Sequence, residues 1–90
     1  METTYTVVLR READGRYSVS VPALPGCHTW GETLPQALHM VEEAIQGYLE
    51  LLDEDGQSWP ADQPEVMVTT AETPEVLVYR LTIGKAAQVA

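Results

Sequence analysis

Ninety residues, 44% apolar and 21% charged, make one globular domain, because so short a chain cannot bury two cores. Fourteen acidic against five basic residues give a net charge of -9, which repels phosphate backbones and anionic lipid and argues against direct nucleic-acid or membrane-surface binding. The sole cysteine, Cys27, excludes an internal disulfide and any thiolate-rich zinc or iron–sulfur centre.

The remaining composition points the same way. Met1-Glu2-Thr3-Thr4 has neither the basic region nor the apolar run of a signal peptide, and no stretch approaches the ~20 apolar residues that span a bilayer, so a cytoplasmic protein is expected. A domain this small buries little more than ~60% of its unfolded surface, so homo-oligomerisation is expected too. The acidity fits either plain solubility or a basic partner.

In chain order, Tyr5, Val7 and Leu9 alternate with polar or smaller neighbours, Glu12-Ala13-Asp14-Gly15-Arg16 carries turn chemistry, and Tyr17, Val19 and Val21 alternate with Ser18 and Ser20. That pattern predicts a β-hairpin, with Gly15 supplying the reversal. Pro22 lacks a backbone donor and ends regular pairing, and Pro25-Gly26 makes a second turn into a short third strand, Cys27-His28-Thr29-Trp30. Leu24, held between two prolines, is expected to plug one end of the core.

Gly31 is expected to break that strand, and Thr33 reads as a helix N-cap, with Gln36 completing a capping box and Pro35 tolerated in the first turn. Leu34, Leu38, Val41, Ile45, Tyr48, Leu49 and Leu52 recur at three- and four-residue spacing, which predicts one apolar stripe on a helix starting at Leu34. Asp53-Glu54-Asp55-Gly56 ends it, the acids facing a basic partner or water. Residues 57–64, including Trp59-Pro60, read as a loop. Val66-Met67-Val68-Thr69 and the run 76–83 have strand composition. The second run is apolar on both faces, so it is expected inside a sheet or paired across a subunit boundary. Residues 84–90 are expected to be a frayed tail, leaving a core of about 4–83 in a single domain spanning 1–90. The fold class is therefore α+β: a three-stranded antiparallel sheet plus one or two C-terminal strands, with a long helix across it.

At residue level the sequence resembles a known family. Its first strand, Asp14-Gly15 with Tyr17, the stretch Val21-Pro22-Ala23-Leu24-Pro25-Gly26-Cys27-His28-Thr29, Gly31-Glu32-Thr33 and an alanine-bearing helix are similar to the N-terminal domain of HicB-type antitoxins. The resemblance makes Asp14, Gly15, Tyr17, Pro22, Leu24, Pro25, Gly26, Gly31 and Thr33 signature positions of the fold. It implies a truncated ribonuclease-H-like architecture that binds and masks a small RNA-cleaving HicA-like toxin, in dimers or tetramers. Members commonly carry a C-terminal DNA-binding segment. The seven residues after Ile83 are too few for one, and Trp30 stands where relatives often have a polar residue.

Cys27-His28 has the residue types of a nucleophile and its base, but strand neighbours point to opposite faces, so no catalytic dyad is expected. His39 lies off the apolar stripe with only His28 as a fellow ligand, which argues for a surface histidine rather than a metal site. A nuclease would need carboxylates converging on paired magnesium ions, whereas the strand centres carry no acid and Asp14 belongs to a turn. The expectation is a non-enzymatic protein without cofactor or metal. Glu32, Glu42, Glu43 and Glu50 are the candidates to meet a basic toxin, with Trp30 or Trp59 as apolar anchors, although Trp30 fits a core position equally well. Two alternatives stand beside toxin masking: an orphan homo-oligomeric binding domain, and a vestigial nuclease.

Overall fold

The computed structural model describes residues 2–65 and 76–84. Alternation along the first strand decides the architecture. In β1 (Glu2–Arg11) the side chains of Tyr5, Val7 and Leu9 share one face and are fully buried. β1 pairs antiparallel with β2 (Tyr17–Ser20) on one side and β4 (Val76–Gly84) on the other, and β2 pairs with β3 (His28–Gly31). The result is a four-stranded antiparallel sheet in the order β3-β2-β1-β4, with α1 (Leu34–Glu54) laid over one face, an α+β architecture.

The two turns of the first half close through their own backbones. Glu12 donates to the Arg16 carbonyl at 2.7 Å, and the Asp14 carboxylate accepts from the Arg16 amide at 3.0 Å. In the proline-rich corner, Val21 donates to the Cys27 carbonyl at 3.1 Å and Cys27 to the Leu24 carbonyl at 2.9 Å. Gly26 takes φ 84° there, a conformation side chains disfavour. The corner so formed drives Leu24 to zero exposure under the helix, burial that stabilises by about 1.5–3 kcal/mol.

Thr33 begins α1 from an extended backbone (φ -130°, ψ 163°), and its hydroxyl accepts from the Gln36 amide at 3.2 Å. The Gln36 side chain reaches back to the Glu32 amide at 2.6 Å, one residue earlier than in the usual capping box. The row that faces the sheet is Ala37, Val41, Ile45 and Leu49. Leu34, Leu38, Tyr48 and Leu52 flank it, half-buried. The predicted stripe is therefore correct in place but lacks Ala37, whose small side chain is what the closest approach of helix and sheet requires.

That approach revises the reading of Gly31. It does not break β3; it is its last residue, buried and paired with Tyr17. A Cβ at Gly31 would lie 2.5 Å from the Ala37 backbone nitrogen, closer than atoms can pack. The glycine is there for room.

The run 76–83 forms a strand, as its composition predicts. β4 is the outermost described strand, with Leu77, Tyr79, Leu81 and Ile83 turned toward the core and Val78 half exposed on the other face. It is not enclosed by described strands on both sides. The expected strand at 66–69 and the tail beyond Gly84 lie outside the described residues.

A short strap closes the remaining gap. β2 covers only the far half of β1, pairing from Val8 to Arg11, so the near half has no strand beside it on that edge among the described residues. The chain after α1 fills the space. Tyr5 Oη donates to the Pro60 carbonyl at 2.7 Å, and Asp62 accepts from both the Thr6 amide (2.8 Å) and the Thr6 hydroxyl (2.9 Å). The carboxylate stands in for a missing ladder partner and satisfies a fully buried threonine.

Gly31→Ala should destabilise the fold by about 1–3 kcal/mol in urea unfolding, more than any exposed surface substitution. Burial, assisted by the Asp62 charge, pushes the Tyr5 phenol above its ordinary range. Its neutral form is the folded one, so stability present below about pH 10 should be lost as pH rises through the folded-state value. Alkaline unfolding followed by circular dichroism checks this: Tyr5→Phe should be less stable at neutral pH, by about 1 kcal/mol for its lost hydrogen bond, yet less sensitive to alkali.

Candidate functional site

No lysine or arginine occurs between Arg16 and Arg80. The charged residues of α1 are therefore all acidic, and the fold decides where those acids point. With Ala37, Val41, Ile45 and Leu49 against the sheet, Glu43, Glu50 and Glu54 recur on the opposite side of the helix, and Glu42 flanks them; all are exposed. Glu43 lies 3.3 Å from the His39 imidazole, both well exposed, so His39 belongs to this acidic face. Glu32 precedes the helix and is exposed as well. The structure thus aligns Glu43 and Glu50, sets Glu42 beside them and leaves Glu32 at the helix entrance.

The uncovered face of the sheet has a different character. Cross-strand rows there run Val76, Arg10, Ser18, Trp30 and Val78, Val8, Ser20, His28. Trp30 is 51% exposed, not a core residue, and the Arg16 guanidinium lies 5.0 Å from its ring centroid. Arg16 is held in turn by Asp14 at 3.3 Å, and Glu12 accepts from Ser18 Oγ at 2.7 Å. The sheet surface therefore carries arginines and an indole with Asp14 and Glu12 bonded beside them, whereas the helix surface carries carboxylates with no arginine or lysine. Trp30 and the helix acids do not form one site.

Trp59 is placed differently again. It is half-buried against the core, and its indole N–H donates to the Asp53 carboxylate at 3.0 Å, which ties the strap to the end of α1. Sequence reasoning missed Asp62 entirely, since a single acid in a loop carries no signal of the threonine it will meet.

Among the described residues, the chemical-looking side chains stand apart from one another. Cys27 is buried, which raises its thiol above the ordinary range, while His28 is exposed on the other face. Asp14 is engaged within its own turn. Among the described residues no three His, Cys, Asp or Glu side chains are grouped to hold a metal ion, and no helix is long and apolar enough to cross a membrane.

The fold is a small α+β domain, one four-stranded antiparallel sheet with a single long helix across it among the described residues. The N-terminal domain of the Burkholderia pseudomallei antitoxin HicB superimposes with a TM-score of 0.71 at 29% identity, covering 93% of this chain and 99% of that one. A structure of the Burkholderia pseudomallei antitoxin HicB matches with a TM-score of 0.70 at 28% identity, covering 88% of this chain and 61% of that chain. A UPF0150 protein of Thermoplasma acidophilum, Ta0767, is 43% identical over 67 residues, which is 74% of this chain and 97% of that relative. The Synechocystis UPF0150 protein ssr1765 is 41% identical over 58 residues, 64% of this chain and 73% of its own. Residues 5–83 match the family described as the HicB-like antitoxin of bacterial toxin-antitoxin systems, and the chain belongs to that family.

Asp62→Ala leaves the buried Thr6 amide and hydroxyl without acceptors and should cost about 1–3 kcal/mol in urea unfolding. Trp30→Ala, by contrast, should stay within about 0.5 kcal/mol of the parent, because its ring is half in solvent. A large loss at Trp30 would mean that the ring supports the fold.

Proposed function

We propose that this protein neutralises a HicA-like RNA-cleaving toxin by binding over its active surface, acting in the cytoplasm as a homo-oligomer and performing no catalysis of its own. Membership of the HicB-like antitoxin family supports a toxin as the kind of partner. The acidic outer face of α1 carries the particular reading. A protein that grips RNA must offer cations to phosphates, and a surface of Glu43, Glu50 and Glu54 without lysine or arginine complements such a partner. Glu42 and Glu32 extend the same field, which steers encounter more than it adds affinity.

Homo-oligomerisation draws support from β4. The Thr6 amide points toward Asp62, away from β4, so ladder alternation turns the amides of Tyr5, Val7 and Leu9 toward it. Their partners Leu81, Tyr79 and Leu77 bond inward, which directs the backbone groups of Val78, Arg80 and Thr82 outward, a row suited to pairing with another strand.

Co-expression with the small basic product of the adjoining reading frame tests the reading. The two should copurify, and the complex should leave RNA intact where the partner alone cleaves it; failure to copurify would overturn the assignment. Glu43→Lys combined with Glu50→Lys should slow association by roughly tenfold at low salt, and added salt should slow the parent's association. An unchanged rate in both cases would remove the acidic face from the interaction. RNA incubated with this chain and magnesium should remain whole.

A further inference from the structure

Gly47 is the residue of α1 that the fold itself does not account for. It stands exposed in mid-helix, where glycine is disfavoured over every residue but proline. A Cβ built on it meets nothing within 4 Å, in contrast to Gly31, which Ala37 forces to be glycine. Among the described residues neither a turn nor a close contact calls for it.

Its surroundings give it a use. Met40, Ala44, Gly47 and Leu51 recur at four-, three- and four-residue spacing, so they lie along one side of α1. Met40 is 37% exposed and Leu51 63% exposed, with Ala44 half-buried between them. This seam is separate from the core row, and Gly47 opens a notch between its two large apolar side chains. Such spacing, large residues around a hole, is how one helix receives the side chains of another. Glu43, Glu50 and Glu54 border it on the solvent side.

We propose that the seam of Met40, Ala44, Gly47 and Leu51 is the docking surface for an apolar element of the toxin flanked by lysine or arginine, with Gly47 admitting a partner side chain against the helix backbone. This rests on the toxin-masking reading and names the surface that performs it. Charge selects the occupant. A second copy would bring Glu43, Glu50 and Glu54 against their own equivalents, with no lysine or arginine on α1 to offset them, whereas a basic partner turns the same carboxylates into complementary contacts. The apolar seam supplies affinity and the acidic border supplies steering.

Gly47 allows a test in which stability and binding move in opposite directions. Gly47→Ala improves helix propensity and meets nothing among the described residues, so melting should rise by about 4–8 °C. Calorimetric titration with the purified basic protein of the adjoining reading frame should meanwhile show affinity falling roughly tenfold for Gly47→Ala and on the order of a hundredfold for Gly47→Leu, which fills the notch. Ser20→Ala, on the far side of the sheet, should change neither. Unchanged affinity in both Gly47 variants, with the parent binding, would overturn the seam and leave toxin masking standing. Absence of binding by the parent would remove both. Loss of a homo-oligomer of this chain alone in Gly47→Leu, read by sedimentation, would reassign the seam to self-association and contradict the proposal.

Discussion

The contact of Gly31 with Ala37 sets the rest of the molecule. Because the last residue of β3 has no side chain, the first turns of α1 settle directly on the sheet, and the only helix row that can face it is the one continuing Ala37 through Val41, Ile45 and Leu49. Rotation of α1 about its axis is thereby determined. Once it is, the acids and the seam around Gly47 fall on sides of α1 other than the row that meets the sheet. The architecture of the core and the presentation of the proposed docking surface are consequences of the same close approach.

A second constraint operates at the other end of the sheet. β2 is too short to cover β1, and the exposed ladder is completed by a carboxylate, Asp62, delivered by a strap that Trp59 and Asp53 fasten to the helix terminus. The strap and the corner around Leu24 close the two ends of the core. With both ends closed, a domain of this size can hold a fully buried row of Tyr5, Val7 and Leu9 without a second covering layer.

Much of this was legible in the sequence, and for physical reasons. Alternation in β1 and β2, the prolines and Gly26 of the corner, and the Thr33 cap are local signals, each written within a few residues. Non-local facts were not legible. Ala37 reads as an ordinary helical alanine until Gly31 is known to lie beneath it, and Asp62 reads as a loop acid until it meets Thr6. Trp30 was ambiguous because strand position alone does not say which face of the sheet carries the helix. The helix acids are legible as a class from composition, but only the rotation of α1 gathers Glu43, Glu50 and Glu54 into one face and separates them from Trp30.

The central claim is that the outward side of α1, rather than the uncovered sheet, meets the toxin. Chemical-shift mapping of isotopically labelled protein, titrated with the purified basic partner, addresses it most directly. The account predicts that the methyl signals of Met40 and Leu51 and the amides of Glu43, Gly47 and Glu50 shift on binding while Trp30 and His28 stay near their free positions. Shifts concentrated at Trp30, Ser18 and His28, with α1 unperturbed, would contradict it.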